Sequence, residues 1–267
     1  SLVGSEMCIR DRVLTGYYGE YAVCRNLSLE EIEKNLNEGK SYVLRLRSQG
    51  SPDKEITFVD SIKGEIKLPE NIHDIVLLKR DGIPTYHFAH AVDDHLMRVT
   101  HVIRADEWLS SVPLHLELFK TLGFKTPKYA HTASIMKEDD GKKRKISKRK
   151  DPEAAVSYYH EEGIPSQAVY EYLLNIANSN FEGWRKANPD KDISEFKFEL
   201  GKMSVSGAVF DMVKLLDVSK NVISKYTKER LYDEVLTWAK RYDSELEEML
   251  NDKEYSSVSY THLRAHE

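Results

Sequence analysis

The apolar positions of this chain change period as it runs. After Ser28, residues Leu29, Ile32 and Leu36 recur at steps of three and four, which predicts a helix with one apolar face. Ser28 followed by Glu31 makes a capping box at its start, and Gly39 stops it. From Tyr42 to Arg47 the pattern alternates, with Tyr42, Leu44 and Leu46 on one side and Arg45 and Arg47 on the other, predicting a half-buried strand. Ile56 to Asp60 and Ile62 to Leu68 read as two more strands, with Gly64 a candidate bulge. A small helix-plus-antiparallel-sheet unit is expected. The arginines of its first strand face water in the plainer reading and an RNA backbone in the other.

The pattern then shifts. Asp74 to Lys79 is almost continuously apolar, as a strand buried on both faces would be. Asp81-Gly82 reads as a turn, Thr85 to Phe88 as extended, and Val92 to Met97 as a short helix with Asp94 at its start. Thr100 to Ala105 is the next strand. Asp106 opens a helix whose stripe is Trp108, Val112, Leu116, Phe119 and Leu122, and Gly123 ends it. Strand–helix alternation around a buried strand predicts an α/β class with a doubly wound parallel sheet. From Asp151 onward the chain reads as helical. Asp151 caps a helix with Pro152 in its first turn, and residues 161–165 end it. Ser166 starts the next, with Val169, Tyr172, Leu173 and Ile176 facing inward. Asn178 to Pro189 reads as a loop carrying Phe181 and Trp184. Ser206 to Val218 and Thr227 to Tyr242 are amphipathic helices, the second carried by Leu231, Val235 and Trp238, and Glu245 to Asp252 is an acidic tail. The aromatics here are expected to be core.

Composition narrows the classes. The chain has 267 residues, 40% hydrophobic and 31% charged, with a formal net charge of −5. That suits one or two globular domains and argues against a histone-like binder; a polyanion must be met by a local patch. No apolar run approaches the roughly 20 residues of a membrane helix, and Glu6, Arg10, Asp11 and Arg12 interrupt any leader-like segment. No membrane partner and a cytoplasmic location are expected. Cys8 and Cys24 alone give no disulfide framework. Residues 1–12 and 258–267 resemble translated sequencing-adapter reads and are set aside as non-native.

The local patch is Lys142 to Lys150, in which seven of nine residues are basic, after the acidic turn Glu138-Asp139-Asp140-Gly141. It reads as an exposed, mobile loop tip. It is either a solvated or nucleic-acid-contacting patch, or a flap that closes on a polyphosphate. Arg104 stands at the carboxyl end of its strand, where open α/β sheets bind ligands, and its guanidinium can fork onto a carboxylate or phosphate. The plainer reading pairs it with Asp106 or Glu107. Tyr86 and His90, taken singly, read as core packing with a satisfied polar tip. Asp93-Asp94 lacks a third carboxylate for a metal, and no metal site is expected.

Three ordered blocks carry a resemblance. Asp81 to Met97 (DGIPTYHFAHAVDDHLM), Thr100 to Ser110 (THVIRADEWLS) and Lys145 to Arg149 (KISKR) resemble bacterial glutamyl-tRNA synthetases, members of class I. The likeness covers roughly 13–257. It implies activation of L-glutamate by ATP to glutamyl-adenylate, then transfer to the 3′-terminal adenosine of tRNA(Glu), with Mg2+ sharing the phosphate charge and the parent a monomer. By the same resemblance Lys148 and Lys145 act on the ATP phosphates, with Ile146 and Ser147 in the same motif. Glu107 and Trp108 line the ATP and acceptor end, while Tyr86, His90 and Arg104 recognise glutamate. Some members hold zinc near the position of Cys24; here a plain reduced cysteine is expected. The family layout implies an incomplete Rossmann-like sheet with an α+β insertion before it and an all-helical domain after it. Residues 13–70 would end the acceptor-stem insertion and 71–135 would be the second half of the nucleotide-binding fold. Residues 136–226 would hold the signature loop and stem-contact helices, and 227–257 would begin the anticodon domain. The family's His-x-Gly-His motif is absent, so the chain as given is expected to be inactive although its parent is an enzyme. Alternatives are a glutaminyl enzyme, a tRNA-modifying glutamyl paralogue, and a non-catalytic tRNA-binding module.

Overall fold

The computed structural model describes Tyr17 and residues 21–251; the adapter-like ends, Cys8 and Asp252 lie outside the described residues. Two compact units divide between Thr132 and Ala133.

In the first unit, helix α1 (Leu29–Asn37) carries the capping box expected of it. Ser28 Oγ accepts the Glu31 N–H at 3.2 Å, and Glu31 returns a carboxylate to the Ser28 N–H at 2.8 Å. Its apolar face is not buried, however: Leu29 is 83% exposed. The predicted strand 42–47 shrinks to β1 (Leu44–Arg45), antiparallel to β4 (Val76–Leu78), and of its three apolar residues only Leu46 is buried. Arg45 turns inward to donate to the Asp74 carbonyl at 2.8 Å, while Arg47 is exposed. The apolar run 74–79 therefore forms a two-stranded ribbon outside the parallel sheet. Leu46 and Leu77 from the ribbon pack with Ala91, Leu114, Leu118 and Phe119 to make the core of this unit.

The main sheet has the order β3-β2-β6-β5, built from β2 (Glu55–Asp60), β3 (Gly64–Pro69), β5 (His101–Ala105) and β6 (Lys128–Thr132). Strand β6 runs parallel to both β2 and β5, so the α/β class with a parallel sheet is observed. The β2–β3 hairpin, expected in a separate antiparallel unit, is joined to this sheet through Asp60 opposite Tyr129. Gly64 is no bulge. It pairs in register with Asp60 at the hairpin turn with φ +77°, a conformation glycine adopts without a Cβ clash. Strand β6 was not expected, because its five residues KYAHT are short and polar-interrupted, yet Tyr129, Ala130 and His131 are buried.

Helix α2 (Tyr86–Leu96) begins where an extended segment was expected; Thr85 is its N-cap, and Asp94 lies inside it. Tyr86, His90 and Asp94, each four residues apart, share one face. Asp106 to Ser111 is a 3₁₀ segment, and α3 (Val112–Thr121) follows with Pro113 in its first turn. A continuous helix from Asp106 would place Pro113 in its interior, where the missing N–H and ring clash break it. The buried stripe shifts accordingly to Val112, Leu114, Leu118 and Phe119.

In the second unit, β7 (Met136–Asp139) and β8 (Lys142–Lys145) form a hairpin. Asp140 (φ 50°) and Gly141 (φ 74°) supply the two left-handed residues that a tight hairpin turn requires. Six α-helices follow among the described residues: α4 (Val156–Glu161), α5 (Ser166–Ala177), α6 (Phe181–Ala187), α7 (Met212–Ile223), α8 (Lys228–Tyr242) and α9 (Ser244–Asn251). Ile164, Ala168, Tyr172, Leu215 and Val222 form the core. Helix α6 lies within the stretch read as loop. Gly183 and the flanking asparagines masked the helical pair Phe181 and Trp184, which pack on Phe196 at 5.0 and 5.4 Å between ring centres. Helix α7 starts at Met212, where the Asp211 side chain caps it, six residues later than the periodicity suggested. The acidic tail is α9, with Leu250 buried.

Leu118→Ala should lower stability by about 2–5 kcal/mol in urea unfolding, because it leaves a cavity in a fully buried site. Leu29→Ala should change it by less than about 0.5 kcal/mol.

Candidate active site

Three parallel strands, β2, β6 and β5, lie side by side, and Asp60, His131 and Arg104 sit at or near their carboxyl ends. Arg104 and His131 are directly opposite in the ladder. Arg104 Nε donates to His131 Nε2 at 3.0 Å, and His131 Nδ1 meets Asp60 Oδ2 at 2.6 Å. One terminal nitrogen of Arg104 lies 3.2 Å from His115 Nδ1, and the other donates to the Trp108 carbonyl at 3.3 Å. His115 Nε2 in turn is 2.8 Å from His87 Nδ1. The guanidinium therefore fixes the tautomers. His131 accepts on Nε2 and carries its proton on Nδ1, facing Asp60. His115 accepts on Nδ1 and donates from Nε2 to His87. The plainer expectation, Arg104 paired with Asp106 or Glu107, gives way to this chain; Asp106 lies 3.8 Å from Lys63 Nζ.

The predicted amino-acid residues converge here. Tyr86, half exposed at the start of α2, stacks parallel to His90 at 6.1 Å and lies 4.9 Å from the Trp108 ring. Arg104 stands over Trp108 at 5.8 Å and over Tyr129 at 5.0 Å. His90 Nε2 is 3.2 Å from the Tyr129 hydroxyl. Its Nδ1 is 3.0 Å from Asp94 Oδ2 but off the hydrogen-bonding direction, so that buried oxygen has no hydrogen-bond partner. Glu107 is exposed on the same 3₁₀ segment as Trp108. Sequence reasoning missed Asp60, His87, His115, Tyr129 and His131. Tyr129 and His131, two residues apart on a strand, were the readable signal once β6 was recognised.

Burial sets the electrostatics. It pushes the histidines down, with His115 at about 2, lowered further by the charge of Arg104 and by the neighbouring rings. His87 and His90 are lowered by burial, with Arg104 contributing; Asp94 opposes this at His90. His131 is lowered by burial against the opposing hydrogen bond to Asp60. Burial works to raise Asp60, but the His131 ring and the N–H groups of Lys63, Ile62 and His131 outweigh it and hold the carboxyl below its usual range. One cation therefore sits among neutral acceptors.

The second unit carries the basic run Lys142 to Lys150. The basic run, expected to be a mobile loop, begins as strand β8, and only Ser147 to Lys150 make the following turn. Asp151 does not cap a helix with its side chain. It is 1% exposed, and its carboxylate takes both terminal nitrogens of Arg144 at 2.7 and 2.6 Å. It also accepts the Ser147 N–H at 2.8 Å, and Lys137 Nζ lies 3.3 Å away. The Arg144 fork is the main cause holding Asp151 well below the carboxylate range, and the same contacts raise Arg144. Lys145 and Lys148 are exposed at the two ends of this locked turn, with Ile146 and Ser147 half buried between them. Among the described residues no three His, Cys, Asp or Glu side chains converge on a metal position, and Cys24 is a free, exposed thiol.

The family model described as tRNA synthetases class I (E and Q), catalytic domain, matches residues 18–230. The chain belongs to this synthetase family. A protein named glutamate--tRNA ligase from Clostridium perfringens is 57% identical over 249 residues, covering 93% of this chain and 46% of its own length. Another of that name from Acetivibrio thermocellus is 54% identical over 250 residues, covering 94% and 46%. A glutamate tRNA ligase from Elizabethkingia meningosepticum, solved in complex with its amino acid, superposes with a TM-score of 0.72 at 28% identity, covering 90% of this chain and 52% of that one. The chain thus spans about half the length of the curated synthetases it matches.

Neutral histidines make the first unit sensitive to acid. The unfolded chain binds protons near pH 6.5 while the folded cluster resists them, so stability is full above that value and falls as pH drops below it. His115 alone should contribute about 1.4 kcal/mol per pH unit between pH 6 and 4. Urea unfolding read by Trp108 fluorescence, with Trp184 and Trp238 replaced by Phe, should show this slope, and His115→Gln should reduce it.

Proposed function

We propose that this chain carries the glutamate-recognition and ATP-phosphate elements of a glutamate--tRNA ligase. The observation that carries the reading is Arg104, seated by two neutral histidines at the carboxyl end of β5 beside Tyr86, His90 and Trp108. A guanidinium whose hydrogen-bond directions are set in advance can take a carboxylate without reorganising. Glutamate supplies that carboxylate. Tyr86 adds a hydroxyl, Trp108 closes an aromatic side, and His90 lines the pocket.

In the proposed reaction, an oxygen of the glutamate α-carboxylate attacks the α-phosphorus of ATP. The bond from that phosphorus to the bridging oxygen breaks, and pyrophosphate leaves with its electron pair. Lys148, assisted by Lys145, offsets the phosphate charge, with Ile146 and Ser147 holding the backbone of the motif. Glu107 and Trp108 serve the ATP and acceptor end. Mg2+, entering with the nucleotide, would share the charge of its phosphates. The 3′-terminal adenosine of tRNA(Glu) is the proposed acyl acceptor, the parent a monomer working in the cytoplasm. On the domain plan, residues 13–70 end the stem-binding insertion, with the β2–β3 hairpin passing into the sheet of the nucleotide-binding fold that 71–135 continue. Residues 136–226 carry the signature and stem contacts, and 227–257 open the anticodon domain.

Glutamate added to the chain should change Trp108 fluorescence saturably, and Arg104→Ala should abolish the change. Lys145→Ala with Lys148→Ala should weaken ATP binding about tenfold or more while leaving glutamate binding intact. No His-x-Gly-His tetrapeptide occurs in the 267 residues, so we expect no glutamate-dependent ATP–pyrophosphate exchange by this chain even with tRNA present. Exchange above background would overturn that expectation.

A further inference from the structure

We infer that Asp60 and His131 are positioning residues for substrate recognition: together they fix the plane of the Arg104 guanidinium. The inference rests on the reading of Arg104 as the partner of the glutamate carboxylate. Neither residue is placed to touch substrate itself, because both side chains are fully buried, at 0% exposure. Their work is done through one hydrogen bond each.

The geometry leaves little freedom. Asp60 Oδ1 accepts the N–H groups of Ile62 and Lys63, both at 2.9 Å, and lies 3.3 Å from the His131 N–H. Oδ2 accepts the His131 N–H at 3.1 Å and the ring Nδ1 at 2.6 Å. Both carboxylate oxygens are thus committed as acceptors, which forces the His131 proton onto Nδ1. Nε2 is left as a lone-pair acceptor aimed at Arg104 Nε, 3.0 Å away. That N–H is the only donor on the shaft side of the guanidinium, so the contact sets how the planar group is turned. The two outer nitrogens are then brought against His115 and the Trp108 carbonyl. A carboxylate at the end of β2 thereby controls an arginine two strands away through a single ring tautomer.

Asp60→Asn tests this with almost no change of shape. The amide oxygen belongs at the Oδ1 position, where the Ile62 and Lys63 N–H groups converge. The amide NH2 then faces His131 Nδ1 and drives the ring to the Nε2–H tautomer, which opposes a donor to the Arg104 Nε–H. Replacing the carboxylate of a histidine-orienting pair by an amide is known to produce such a wrong tautomer with geometry intact. His131→Asn and His131→Gln separate the two halves of the contact. Asparagine can imitate the Nδ1 donor but offers no acceptor towards Arg104, whereas the longer glutamine can present its oxygen there.

Nitrogen NMR of the wild-type chain should show His131 protonated on Nδ1 and an Arg104 Nε–H that exchanges slowly. Asp60→Asn should reverse the tautomer, and Asp60→Asn and His131→Asn should each speed that exchange about tenfold or more, with His131→Gln restoring part of the protection. Glutamate affinity should follow the same order, falling about tenfold or more in the first two variants. The inference is overturned if wild-type His131 carries its proton on Nε2. It is equally overturned if Arg104 Nε–H exchange stays within about twofold of wild type in variants whose circular dichroism is unchanged. If Asp60→Asn fails to fold, the wild-type tautomer and the two His131 variants decide the matter. A chain that binds no glutamate at all would sink the glutamate reading of Arg104, while tautomer and exchange would still decide whether Asp60 and His131 hold it.

Discussion

A half-buried arginine constrains the whole first unit. A guanidinium stays protonated at any pH a folded protein survives, so burying one obliges the surroundings to supply acceptors. Here, among the described residues, it makes no hydrogen bond to a carboxylate. Asp60 is one ring removed, and Arg104 instead meets His131, His115 and a backbone carbonyl. That arrangement works only while the rings are neutral, and burial is what keeps them so. Strand order, tautomer and charge state are therefore one requirement. Remove β6 from between β2 and β5, and His131 cannot bridge Asp60 to Arg104.

The second unit solves a different problem. Seven basic residues in nine repel one another, and a loop bearing them would spread. The Asp140-Gly141 turn folds the first four into a strand against Met136–Asp139. Asp151 then closes the far end, binding Arg144 through a fork and the Ser147 N–H at once. Arg144 is thereby spent on structure, and that anchors the backbone between Lys145 and Lys148. Lysines presented from a fixed turn lose less entropy on meeting a phosphate than lysines on a free loop.

Much of the helical content was legible from spacing: the capping box at Ser28, the stop at Gly123, and the long helices after Ser166 and Thr227. What failed did so for local reasons. Pro113 reset the start of α3 and moved the apolar stripe by about half a turn. The run 74–79 had the composition of a central strand but paired into a two-stranded ribbon, because hydrophobicity reports burial without naming the partner strand. The site was legible only through ordered blocks of residues. Arg104 does lie near the carboxyl end of its strand, and Tyr86, His90 and Trp108 gather beside it. The residues that orient it were hidden. His115 sits in an apolar helix stripe, His131 in a strand too short to notice, and Asp60 at the end of a hairpin assigned elsewhere. Each is bland in its own segment, and only the register of three strands makes them one device.

Both units orient an arginine with a buried carboxylate, yet by routes of unequal robustness. Asp151 grips Arg144 directly, and its carboxyl is held well below the usual range, so acid of ordinary strength leaves the turn closed. Asp60 reaches Arg104 through an imidazole, and a proton on its Nε2 would remove the acceptor that Arg104 needs. The interposed ring does something a direct ion pair would not. A carboxylate in contact with Arg104 would neutralise the guanidinium and compete with any anionic ligand for its hydrogen bonds. A neutral histidine fixes the direction of the group and leaves its charge available. The greater sensitivity to acid follows from holding an arginine still without quenching it.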